Sequence, residues 1–169
     1  MATRRMDANV NDNHNVIMLL GEQIQRDVVL QSGTGLTPGC IVVPYTGTAA
    51  PVTGVDGSTG YVEPPTAPIE GKMNFAVINI SSADGGNLVR EIDEGEQIPV
   101  LYPGNGNGSI NLVRINPETP VIRGQFLTVT TDGSGLVTAG TAADAIGIAG
   151  EDMPTGDPEL PTFIKMEVL

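Results

Sequence analysis

The sequence predicts an all-β protein, a small antiparallel β-barrel or sandwich with an extended N-terminal arm and long loops. Short apolar runs recur along the chain with turn residues between them, which is typical of antiparallel β folds. The 22 glycines and 13 prolines among 169 residues favour turns over long helices. With no tryptophan and only three residues each of Tyr and Phe, the core must consist mainly of small aliphatic side chains. Such a light core favours additional stabilisation by other subunits.

The first 20 residues are predicted to form an arm, and residues 21–169 a single β-rich domain. Residues 1–15 are polar and rich in Asn, which predicts a segment without fixed structure in the isolated chain. The apolar patch that follows consists of Val16, Ile17, Met18, Leu19 and Leu20. This patch is either the first strand of the core or an arm that adds a strand to a partner's sheet.

Two strands are predicted in the first part of the domain. Ile24–Leu30 favours a strand, although the spacing of its apolar residues also permits a short helix. Cys40–Val43 is apolar and largely β-branched, and Pro44 closes it. Residues 36–42 can be laid over residues 121–127, because each stretch has an apolar residue, a turn glycine and an apolar run in that order. Chance alone could also produce this weak internal repeat.

Residues 46–71 are predicted to be a long loop that buries little. The segment has low complexity, and Pro64, Pro65 and Pro68 force extended backbone near its end. Uninterrupted loops of this length are uncommon in compact domains. The segment is therefore either an interaction loop or a hairpin excursion around Asp56-Gly57.

The middle of the chain predicts further strands. Met73–Ile80 alternates enough for a half-buried strand, and Asn87–Ile92 is a second candidate. Ile98–Tyr102 and Ile110–Ile115 flank a Gly-Asn repeat within residues 103–108. Because Asn-Gly pairs accept the backbone conformations of tight turns, these two runs predict a β-hairpin.

The C-terminal third predicts a β-meander followed by a closing strand. Phe126–Thr131 is strand-like, the Asp-Gly-Ser-Gly run at 132–135 tolerates positive φ, and Leu136–Ala139 can pair back. Ala145–Ala149 supplies a third short apolar run. Phe163–Leu169 is the last predicted strand.

Residues 120–169 resemble the head decoration (cement) proteins of tailed bacteriophages, the lambda D-like kind. The resemblance rests on a turn-flanked strand, a small-residue loop, the Ala-Ile-Gly-Ile-Ala run at 145–149, an acidic turn and a closing strand. It implies a protein that binds the exterior of the mature head and stabilises the capsid by bridging capsomers, often as a trimer. Residues 1–119, and above all the 46–71 segment, depart from the compact lambda D pattern.

The resemblance also implies a partner and a location. The partner would be the major capsid protein. Val16–Leu20 are the candidate capsid-contact residues on a separate ground, because a disordered arm beside an apolar run suits folding upon binding. The location would be the virion exterior after synthesis in the host cytoplasm. Another virion structural protein, such as a tail, fibre or assembly component, is the alternative. A small carbohydrate-binding or hydrolytic β domain is less favoured, because sugar sites usually use aromatic platforms and the chain has no tryptophan.

Charge and hydropathy argue against two classes of partner. Twenty acidic and eight basic residues give a formal net charge of −12. Nucleic acid is therefore not expected as a partner, because phosphate binding depends on Lys and Arg. No apolar run approaches the roughly 18 residues that a membrane-spanning helix requires, so no membrane association is expected.

The chain offers few groups for catalysis, and it predicts neither an enzyme nor a cofactor. His14 is the only histidine and lies in the Asn-rich tail. Cys40 is the only cysteine and lies in an apolar run, as a small buried residue would. A nucleophile with a histidine base and an orienting group is therefore not expected.

Three polar loops are better explained as structure than as binding sites. The Asp7-x-Asn9-x-Asn11 motif opens like a calcium loop but lacks the glycine and the closing glutamate. The acidic run at 91–96 is typical of a solvated turn. The Gly-Asn repeat at 104–108 lacks the following helix that a phosphate loop requires.

Overall fold

The fold is entirely β in the part of the chain that the structure describes. The computed structural model describes residues 18–20, 23–48, 60–69, 75–79, 87–103, 109–158 and 162–169. These residues form eleven strands and no helix, which confirms the predicted fold class. The strands are β1 (Met18–Leu20), β2 (Gln23–Leu30), β3 (Ile41–Pro44), β4 (Gly60–Glu63), β5 (Ala76–Ile78), β6 (Gln97–Pro103), β7 (Ile110–Arg114), β8 (Phe126–Val129), β9 (Val137–Ala139), β10 (Gly147–Ala149) and β11 (Phe163–Val168).

Strands β2 to β6 form a closed barrel in the order β2-β4-β3-β5-β6. The long antiparallel ladder between β2 and β6 closes it, and β2 and β4 form its parallel pair. Alternate residues point inward, as the two-residue period of a strand requires. The interior is filled by Val28, Leu30, Leu36, Cys40, Val42, Val62, Ala76, Ile78, Ile92, Ile98 and Val100.

The other strands form an antiparallel sheet in the order β1-β7-β11-β10-β8-β9. The sheet curls, as a bridge between its two ends shows. Val137, at the start of β9, forms this bridge with Ile115, the residue after β7. The backbone N–H of Asn116 donates to the carbonyl oxygen of Val137 at 2.8 Å. The outer side of β9 is therefore partly covered, whereas β1 lies at the opposite edge.

One continuous core joins the barrel to the sheet. Ile41, Val77 and Leu101 alternate with inward-facing barrel residues and therefore lie on the outer wall of the barrel. They pack in the same cluster as Leu127 and Ile164 of the sheet. This arrangement corrects the prediction that residues 73–80 form a half-buried strand. All of β5 is buried, because one side faces the barrel interior and the other faces the sheet.

The predicted hairpin around the Gly-Asn repeat is wrong, although both of its strands exist. β6 pairs with β2 and β5, whereas β7 pairs with β1 and β11. Both edges of β6 are used to close the barrel, so no edge remains for β7. The connection between β6 and β7 leads instead from the barrel to the sheet, and residues 104–108 lie outside the described residues.

The strand predicted at residues 87–92 is also wrong. The Asn87 side-chain oxygen accepts a hydrogen bond from the Val89 backbone N–H at 3.0 Å, which bends the chain. Ile92 forms only a single bridge, to Leu36. The backbone of this segment therefore forms turns. The prediction failed because its buried apolar residues, Leu88 and Ile92, anchor those turns instead of a strand.

The C-terminal strands are where they were predicted, but they do not form a meander. β9 pairs with one edge of β8, whereas β10 pairs with the other edge of β8 and with β11. The loop before β10 crosses β8, and the Thr128 hydroxyl donates to the carbonyl oxygen of Asp144 at 2.8 Å. The small residues of the loop permit this crossing, which sequence order alone did not indicate.

The segment predicted as a long loop contains a strand. β4 lies within residues 46–71 and pairs antiparallel with β3 and parallel with β2. Val62 is 1% exposed, so the expectation that the segment buries little is wrong at this point. Of the two alternatives, the hairpin agrees with the β3–β4 pairing, and Asp56-Gly57 lies outside the described residues.

The internal repeat is structural and has a third copy. In each copy an apolar residue forms an isolated β-bridge, and a glycine with positive φ follows it three positions later. A strand begins two positions after the glycine. We call this unit the glycine turn. Its copies are Leu36 with Gly39 before β3, Ile92 with Gly95 before β6, and Val121 with Gly124 before β8. The three φ values are 91°, 84° and 86°, a region that favours glycine.

Candidate functional site

The single cysteine, Cys40, is held in a structural role. Cys40 is 2% exposed, and its sulfur lies 3.8 Å from the hydroxyl of Thr37. Burial raises the pKa of the Cys40 thiol, although hydrogen bonds with Thr37 and the positive charge of Arg114 oppose the rise. A thiol that is buried and protonated is a poor nucleophile.

The acidic run at 91–96 is organised as a turn. Glu96 forms an ion pair with Arg90 and also accepts a hydrogen bond from the Asp93 backbone N–H at 3.1 Å. No group of three or more His, Cys, Asp or Glu side chains in the described ranges is arranged to hold a metal ion. His14 and the Asp7-x-Asn9-x-Asn11 motif lie outside these ranges.

The predicted contact residues are partly described. Met18, Leu19 and Leu20 form β1, whereas Val16 and Ile17 lie outside the described residues. β1 is three residues long and pairs with β7 at the edge of the sheet, through Met18 opposite Asn111 and Leu20 opposite Ile110. The register shifts between these two pairs, so the ladder is irregular.

Two polar side chains of the β7 region are buried beside this edge. Ser109 is 3% exposed and Asn111 is 0% exposed. The Ser109 hydroxyl and both polar atoms of the Asn111 amide have no hydrogen-bond partner among the described residues. Asn111 lies two residues from buried Val113 and therefore faces the same apolar side of the sheet. A buried polar group without a partner costs about 1–3 kcal/mol.

A second polar location lies at the seam between the barrel and the sheet. Arg114, the last residue of β7, donates its backbone N–H to the carbonyl oxygen of Gly39 at 2.8 Å. Its Nη1 donates to the Thr37 hydroxyl at 2.8 Å, and its guanidinium carbon lies 5.3 Å from the centre of the Phe163 ring. Its Nε is buried and has no acceptor among the described residues. The guanidinium is therefore fixed in position without a carboxylate from the described residues.

An open cleft of about 260 Å³ lies beside Arg114. Residues from both halves of the fold line it, among them Thr37, Val89, Glu91, Ile115, Leu136 and Thr162. Val89 also lines this cleft and is 55% exposed. The cleft thus combines one cation and one carboxylate with apolar side chains.

Neither Asn111 nor Arg114 was singled out by the sequence. The polar Asn111 within the apolar run of β7 is a weak signal of a special position. Arg114 is one of several arginines scattered along the chain, and its separation from carboxylates depends on the fold.

No protein-family model matches the chain, and no curated protein is significantly similar to it. Among the described residues, no helix is long and apolar enough to cross a membrane.

Proposed function

We propose that this chain is a bacteriophage capsid decoration (cement) protein. It binds the major capsid protein on the exterior of the mature head and stabilises the shell by bridging capsomers. It acts as a homo-oligomer, and a trimer is the state that the resemblance implies. Another virion structural role, in a tail, fibre or assembly component, is the alternative.

The position of β1 is the observation that carries the proposal. β1 is a short edge strand with an irregular register, and it pairs with β7 at Asn111, whose buried amide has no described partner. The opposite edge of the sheet is partly covered by residues 115–116. Among the described strands, the edge without a pairing partner is therefore the one next to the predicted arm, and strand addition is a common way for such an edge to bind a partner.

The chemical character of the described residues supports a structural role. The single cysteine is buried, and the acidic turn is occupied by its own hydrogen bonds and by Arg90. A cement protein needs no reactive group, because it acts by holding two neighbouring proteins at once. The first contact raises the effective concentration for the second, so modest contacts together resist separation of the capsomers.

Cosedimentation with expanded, undecorated heads tests the proposal. The heads are assembled from the major capsid protein encoded in the same genome. We expect the full chain to bind, and we expect deletion of residues 1–20 to weaken binding at least about tenfold, which corresponds to roughly 1.4 kcal/mol. Deletion of residues 1–15 alone keeps β1, so it distinguishes the contribution of the polar segment to binding from that of the strand. Amide spectra of each variant establish that the domain remains folded.

The outcomes separate the parts of the proposal. A full chain that binds no particle excludes the decoration role, whereas unchanged binding of a folded 1–20 deletion excludes only the arm. Ile122→Ser is the control, because Ile122 is an exposed aliphatic residue on the glycine turn before β8. Cryo-electron microscopy of virions distinguishes the alternative, because density on a tail or fibre instead of the head surface favours that role.

A further inference from the structure

The cleft at the barrel–sheet seam has the properties of a small binding site. We propose that it binds a carboxylate that carries a short aliphatic body, with Arg114 holding the carboxylate and the apolar wall holding the body. The proposal is independent of capsid binding, because it concerns a cleft within one chain and is tested on the protein alone.

The first argument is the unfilled hydrogen-bonding capacity of Arg114. A guanidinium has five N–H donors and keeps its charge at all ordinary pH values. Among the described contacts, one of these donors is used, from Nη1 to Thr37. No carboxylate among the described residues forms an ion pair with Arg114, although the chain contains 20 acidic residues. A carboxylate ligand would supply the charge-assisted hydrogen bonds that are missing.

The second argument is that the guanidinium is already oriented. The Thr37 hydroxyl fixes one end, and the Phe163 ring lies 5.3 Å from the guanidinium carbon. The backbone of Arg114 is held by Gly39 on one side of the seam and by its pairing with Phe163 on the other. A side chain that is held in place before the ligand arrives loses less conformational entropy on binding.

The third argument is the shape and lining of the cleft. Its volume of about 260 Å³ fits a ligand of several heavy atoms rather than a single ion. Val89, which is 55% exposed, and the partly exposed Leu136 supply apolar surface for an aliphatic body. Glu91 is the carboxylate among the lining residues and is exposed, so it weakens anion binding without filling the site.

The test is a titration followed by the side-chain N–H signal of Arg114 in ¹H–¹⁵N spectra. The probe is 3-methylbutanoate, and its neutral amide, 3-methylbutanamide, is the matched control. We expect a saturable shift with the acid and binding at least about tenfold weaker with the amide, because the charge-assisted bonds are lost. A peptide with a free C-terminal leucine, compared with its amidated form, tests whether the natural carboxylate belongs to a protein chain.

Two variants keep the test decisive. Arg114→Gln should weaken binding of the acid at least about tenfold. Glu91→Gln should strengthen it about twofold to fivefold, and because Glu91 is exposed this change does not threaten the fold. If the peptide with a free C-terminus binds more tightly than the acid, the site is assigned to a chain terminus. If the peptide binds equally or more weakly, the site is assigned to a free acid. Absence of saturable binding by both probes overturns the proposal, as does equal binding of the acid and its amide.

Discussion

Gly39 and Arg114 are joined by a backbone hydrogen bond of 2.8 Å that links the barrel to the sheet. Gly39 lies in the glycine turn before β3, and Arg114 ends β7. The carbonyl oxygen of Gly135, in the turn between β8 and β9, accepts a second bond from the Ile41 N–H at 2.7 Å. The two halves of the fold are thus joined through turns in which glycine permits both the positive φ and the close approach of the barrel backbone to the sheet backbone.

Gly39→Ala should destabilise the protein more than Gly95→Ala. Both glycines have positive φ in the same kind of turn, so each substitution introduces similar backbone strain. A Cβ at position 39 would lie 2.8 Å from Cε1 of Phe163, whereas a Cβ at position 95 would meet nothing within 4 Å. We expect losses of about 3 and 1 kcal/mol, respectively, in urea unfolding. Equal losses would mean that the seam adapts to the extra methyl group.

Asn111→Leu should stabilise the isolated chain. The substitution replaces a buried amide that lacks described partners with an apolar side chain of similar size. We expect a gain of about 1–3 kcal/mol in the free energy of unfolding. Thr128→Val is the matched control, because the Thr128 hydroxyl has a partner in Asp144, and its loss should cost about 1 kcal/mol. A destabilised Asn111→Leu variant would show that the amide is satisfied in solution.

Cys40 should make stability fall at alkaline pH. Burial raises the pKa of the folded thiol above its ordinary value of 9.0. Above that value the unfolded chain loses a proton that the folded chain retains, so the stabilising contribution decreases until the pH passes the folded pKa. The limiting slope is about 1.4 kcal/mol per pH unit for one proton. Urea unfolding at increasing pH should show a steeper decrease in the wild type than in Cys40→Val, and parallel curves would contradict it.

Asp132 should titrate below its ordinary pKa. The Ser134 hydroxyl, followed by the Ser134 backbone N–H, donates to this carboxylate and lowers its pKa from 3.8. The resulting stabilisation of the β8–β9 turn is present above pH 3.8 and is lost as the pH falls through the folded pKa. The amide shift of Ser134 reports the midpoint, and Ser134→Ala should move it upward. An unchanged midpoint would exclude the hydroxyl as the main cause.

The locations of most strands could be predicted because apolar period and turn residues act locally. β2, β3 and β11 lie within about one residue of the predicted runs, which is the usual uncertainty of strand ends. The partners of the strands could not be predicted in the same way. β6 and β7 are consecutive and are separated by a turn-like segment, yet they belong to different sheets. Pairing depends on which edges remain open after the barrel has closed.

The two candidate sites differ in how far the sequence indicated them. The patch at residues 16–20 was recognised because it is apolar beside a polar tail, and its described part lies at a sheet edge. The cleft at Arg114 was not recognised, because Thr37, Val89 and Arg114 are far apart in the chain and meet only at the seam.

By itself, the sequence determined that the protein is an acidic assembly of short strands and glycine turns, because side-chain period and the φ preference of glycine are properties of neighbouring residues. The tertiary structure decided how the strands are divided between a barrel and a sheet and which edge of the described sheet stays open. It also left Arg114 without an ion pair to a carboxylate among the described residues. These features depend on the burial of surfaces from distant parts of the chain, and no local pattern encodes them.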